Sequence, residues 1–72
     1  MKVKALVRTM RAVALIRRAD EAWEERERVL AGGGPDLAEA TARAEEAHRR
    51  ALEAADEVME AFGVNAYAIA FN

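Results

Sequence analysis

The stretch MKVKALVR, residues 1 to 8, decides the fold. Taken alone it alternates. Val3, Ala5 and Val7 fall between Lys2, Lys4, Leu6 and Arg8, the period-two pattern of a strand. Taken as the start of the helix that follows, it creates a conflict. At 100° per residue Val3, Leu6, Val7, Met10 and Ala14 point one way, while Leu15, Ile16, Ala19, Trp23 and Leu30 point nearly the opposite way. A helix that starts near Met10 with Thr9 as N-cap carries only one set, and the conflict disappears. Its stripe is then Ala12, Leu15, Ile16, Ala19, Ala22, Trp23 and Leu30. The reading is a strand over 2–8 and a helix over 10–31.

The clearest punctuation is AGGGPDL at 31 to 37. Glycine supplies the left-handed conformation that ends a helix, and Pro35 suits the first turn of the next. A second helix is expected over 35–62, ending at Gly63. Leu37, Thr41, Ala44, His48, Ala51, Ala55, Val58 and Phe62 form its seam, flanked by Leu52 and Met59. Reflection about residue 33 puts Trp23 beside Ala44 and Ala19 beside His48, so large side chains meet small ones. The chain then ends on VNAYAIAFN, where Tyr67, Ile69 and Phe71 alternate with alanines, a second strand over 64–71.

These pieces give an α+β class, a β-α-α-β chain forming one domain over 1–72. A long antiparallel helical hairpin is bracketed by N- and C-terminal strands paired antiparallel. A two-stranded sheet is marginal and has open edges, so the strands are expected to be completed by another protomer. The expected interface is Val3, Ala5, Leu6, Val7, Tyr67, Ile69 and Phe71, most simply in a dimer.

Composition narrows the chemistry. Hydrophobic content of 53% with 33% charged residues indicates a globular chain. With no cysteine there is neither a disulfide nor a zinc-thiolate site. The longest uncharged run, 61 to 72, is about twelve residues against the ~20 of a membrane span. A soluble protein with no membrane partner is expected. Residues 1–18 hold Lys2, Lys4, Arg8, Arg11, Arg17 and Arg18 and no acid, whereas 19–72 hold all 13 acids against five arginines. The plain reading is a solvated basic edge; otherwise the basic end contacts nucleic acid or meets the acidic face of another protomer.

His48, the only histidine, forms Glu-x-x-His with Glu45, the spacing of di-iron carboxylate bundles. Only Asp20 on the other helix lies at the right height, and it sits on the flank, so a core or interface histidine is expected and no metal. Serine and cysteine are absent, and the acids spaced four from arginines read as surface ion pairs. No catalytic residue and no cofactor is expected, and the protein is read as not an enzyme.

The strand-helix-helix start with Lys2, Lys4, Leu6 and Arg8 resembles the ribbon-helix-helix DNA-binding family over about a third of the chain. That resemblance implies paired N-terminal strands in the major groove, with Lys2, Lys4 and Arg8 facing it. The regular helices, standard caps and alternation of bulky and small residues also resemble an idealised de novo designed α+β homo-oligomer. If natural, the chain is expected in the cytoplasm. The function expected is self-assembly into a homo-oligomer without catalysis. The alternative is a small nucleic-acid-binding protein using the basic N-terminal strand in a dimer.

Overall fold

Residues 3 to 28 form one unbroken helix. The structure, a computed structural model, describes residues 2–33 and 36–72. Helix α1 (Val3–Arg28) leads through a kinked turn at Val29–Gly33 to α2 (Leu37–Phe62), and a short α3 (Ala66–Ala70) follows. No strand occurs among the described residues. The α+β class, with strands at 2–8 and 64–71 paired antiparallel, is therefore corrected to an all-helical hairpin with a third, short helix folded against it.

The reason lies in small residues. Ala5, Thr9, Ala12, Ile16 and Ala19 are all buried, at spacings of four, three, four and three. That is a complete helical seam, and it starts in the segment read as a strand. Thr9 is no N-cap; it lies inside the seam, and the residue before the helix is Lys2, whose side chain makes no capping bond. The larger residues Val3, Leu6, Val7 and Met10 are on the outside.

The hairpin connection follows the glycines. Gly32 has φ 105°, the left-handed region that glycine enters freely, and it interrupts the helical path. Gly34 and Pro35 lie outside the described residues, and with them the expected role of Pro35. Asp36 caps α2, its carboxylate accepting from the amides of Ala38 at 2.9 Å and Glu39 at 3.3 Å. At the far end Gly63 adopts φ 68°, and its amide donates to the Met59 carbonyl at 2.9 Å, the expected glycine stop.

The two long helices meet through alanine. Ala40, Ala44, Ala51, Ala55 and Val58 are the buried residues of α2, with Ala47 and Ala54 half-buried beside them. The expected seam was right at Ala44, Ala51, Ala55 and Val58. It was wrong at Leu37, His48 and Phe62, which are exposed. Small side chains on both helices let the backbones approach closely. Arg26 Nε donates to Thr41 Oγ1 at 2.8 Å, which fixes the same register as the reflection about residue 33.

Beyond Gly63 the chain turns back along the hairpin. Asn65 caps α3, its side-chain oxygen accepting from the Ala68 amide at 3.1 Å. In a helix Ala66 and Ala70 share one edge and Tyr67 and Phe71 the next, so alternation in sequence becomes pairing at four residues. Ala66 is buried in the core with Val13, Ile16, Ala55 and Val58, and Tyr67 and Ala70 pack against it. The result is a rod of 46 × 20 × 15 Å.

Candidate interaction surface

The conflict of faces in the first helix is real, and the fold keeps it. The outer residues Val3, Leu6, Val7 and Met10 are 50% to 77% exposed and turned roughly 140° from the buried seam of the same helix. Isolated exposed apolar residues are ordinary, but four within eight residues on one helical face form a patch.

Of the expected interface, Val3, Leu6, Val7, Ile69 and Phe71 are exposed, while Ala5 is buried and Tyr67 half-buried. Ala5 and Tyr67 belong to the fold. Met10 was missed, although its spacing from Val3, Leu6 and Val7 is helical. Leu52 and Met59 were also placed on the flank of a seam. They stand more than two-fifths exposed, seven residues apart on one side of α2, and Ile69 is similarly exposed on α3.

Charge divides along the same lines. Every ion pair among the described residues lies within one helix, and each uses an arginine from the second half of α1 or from α2. Arg28 pairs with Glu25 at 2.8 Å, Arg43 with Glu39 at 2.7 Å, and Arg49 bridges Glu46 and Glu53, both at 2.6 Å. Arg50 also reaches Glu46 at 3.1 Å, and Arg26 reaches Glu27 at 3.5 Å. The hydrogen bond from Arg49, with Arg50 beside it, holds the Glu46 carboxyl below the usual carboxylate range. Lys2, Lys4, Arg8, Arg11, Arg17 and Arg18 take part in none of these pairs. Asp56, Glu57 and Glu60 near the end of α2 are equally unpaired. The expected nucleic-acid contacts Lys2, Lys4 and Arg8 are all exposed, but Lys4 and Arg8 lie on a helix with Lys2 just before it, not on a groove-reading strand.

His48 is exposed, not a core residue, and the Thr41 hydroxyl accepts from Arg26. Glu45 is exposed too. No group of three acidic, histidine or cysteine side chains among the described residues is placed to hold a metal ion. His48 instead joins Asp20, Trp23, Tyr67 and Phe71 around a cleft of about 200 Å³ between the hairpin and α3. Two buried hydroxyls, Thr9 Oγ1 and Tyr67 Oη, have no hydrogen-bond partner among the described residues. Burial of the Tyr67 hydroxyl, with the negative charge of Asp56 in support, raises its pKa above the ordinary tyrosine value.

No helix among the described residues is long and apolar enough to cross a membrane. No protein-family model matches the chain, and no curated protein or solved structure matches it either.

Proposed function

We propose that the protein is a non-catalytic self-assembly module whose α1 outer face packs against a second copy. The observation that carries this reading is the pair of apolar faces on α1, one buried in the hairpin and one open to solvent. A soluble domain has no folding reason to place Val3, Leu6, Val7 and Met10 outside, since burying each exposed half contributes roughly 1 kcal/mol.

Charge selects the surface of the second copy. Packing α1 on α1 over residues 3–14 sets the basic half of one copy against the basic half of the other. The six unpaired cations favour an anionic counterpart instead. The sides of α2 and α3 that bear Leu52, Met59 and Ile69 supply apolar surface, and the unpaired Asp56, with Glu60 next to it, lies nearest Leu52 and Met59 around α2. A two-fold dimer in which each α1 face covers the other copy's α2–α3 face satisfies both the charge and the apolar area. This replaces the expected strand pairing with helix packing.

The experiment is molar mass by light scattering across protein concentration. The wild-type chain is expected to rise from 7.9 kDa towards twice that value, and Leu6→Glu with Met10→Glu to remain at the single-chain mass. Both positions are exposed, so unchanged helicity separates lost association from lost folding. A single-chain mass at every concentration overturns the proposal. Salt-sensitive binding to duplex DNA, lost on replacing Lys2, Lys4 and Arg8 by glutamine, would assign the cations to nucleic acid instead. Binding to anionic but not neutral vesicles would assign the face to a lipid surface.

A further inference from the structure

Three of the four aromatic residues, Trp23, Tyr67 and Phe71, converge on one cleft together with Asp20, His48 and Ile16. We infer that this cleft is a binding site for a small organic ammonium ion. The inference does not rest on self-association, because the residues assigned to the packing faces lie outside the cleft.

The physical grounds are the ring faces and the carboxylate. Aromatic faces carry negative quadrupole potential and attract weakly hydrated cations within about 6 Å of the ring centre. Tyr67 and Phe71, one helical turn apart, stack with centroids 6.4 Å apart at 29°, and both line the cleft. Trp23 already accepts a cation, since the Arg26 guanidinium carbon lies 5.8 Å from its ring centre. Arg26 is committed elsewhere, donating to Thr41 and pairing with Glu27, and it does not line the cleft.

Asp20 supplies the charge. Its carboxylate is exposed, and it belongs to no ion pair among the described residues. A single carboxylate with three rings is a poor site for calcium or magnesium, which demand several oxygen ligands. It suits a diffuse cation that gives up its hydration readily. At about 200 Å³ the cleft is below the ~300–1,000 Å³ of pockets for drug-sized molecules, so it admits a group of a few heavy atoms. A trimethylammonium head group is of that kind.

The test uses Trp23 as the reporter, since it is the only tryptophan. Choline chloride is titrated into the full-length protein and its fluorescence followed, against sodium chloride at equal ionic strength. A second titration uses 3,3-dimethylbutan-1-ol, which has the shape of choline without the charge. Choline is expected to give a saturable change, with the uncharged analogue and the Asp20→Asn protein each weaker by about tenfold or more. Circular dichroism confirms that Asp20→Asn is folded; should it unfold, the two ligands on the wild-type protein decide alone. Equal titration by choline and the alcohol overturns the inference, as does a choline response no different from sodium chloride. A folded Asp20→Asn protein that binds choline as tightly as wild type overturns it as well.

Discussion

Thr9 sits one helical turn beyond Ala5 on the same buried edge of α1, with its hydroxyl unbonded. A buried hydroxyl without a partner carries its desolvation cost and returns nothing. Thr9→Val, which keeps the shape and removes the orphan, is expected to stabilise the protein by about 1 kcal/mol in chemical denaturation. The strand-and-cap reading of this segment makes the opposite forecast, because an N-cap threonine replaced by an apolar residue costs about 1 kcal/mol.

That one position shows why the sequence was legible in part. The hairpin, the glycine stop at Gly63 and the register given by reflection about residue 33 could be read, because glycine geometry and loop length leave a helical hairpin few alternatives. The terminal segments could not be read from large side chains, since alanine fills most of the buried positions of this hairpin. Ala5, Thr9 and Ala12 carry the helical period, while Val3, Leu6 and Val7 suggest a different one. At the other end Asn65 was the overlooked signal: an N-cap three residues before Ala68 marks a helix start that Tyr67-Ala68-Ile69 alternation conceals. The candidate cleft was half visible. Asp20 and His48 were placed at one height, but the approach of Tyr67 and Phe71 depends on α3 folding back, and a strand would have carried them elsewhere.

The caps of α2 and α3 give a second prediction. Asp36→Ala removes two side-chain bonds to the start of α2 and is expected to cost about 1 kcal/mol of global stability. Asn65→Ala is expected to cost a similar amount, with a local signature. Amide exchange should accelerate across 66–71 more than in the middle of α1, because α3 is short and depends on its cap.

Stability should depend on pH at both extremes. The Tyr67 hydroxyl has a folded-state pKa above the unfolded value near 10, so its contribution is complete below pH 10 and is lost as pH rises through the folded value. Tyr67→Phe is expected to remove that alkaline loss, and Asp56→Asn to reduce it. The Glu46 carboxyl is depressed, so its contribution is present above the unfolded value near 4.3 and is lost as pH falls through the folded value. Denaturation midpoints of wild type, Tyr67→Phe and Glu46→Gln at matched ionic strength separate the two.

The unpaired cations give a prediction of their own. Arg11 and Arg18 line one cleft with Glu53 and Glu57 of α2, without a direct ion pair to them. Added salt should therefore screen this attraction and destabilise the dilute protein slightly, while weakening association between copies. Thermal melts at low protein concentration, set beside light scattering at high concentration, read the two effects separately.

The most direct test of the two-faced α1 is isotope-filtered NMR on a mixture of labelled and unlabelled chains at high concentration. Contacts between copies are expected from the side chains of Val3, Leu6, Val7 and Met10 to those of Leu52, Met59 and Ile69, with helical shifts continuous from Val3 to Arg28. An absence of contacts between copies, with the outer α1 side chains remaining in solvent at every concentration, would contradict the account.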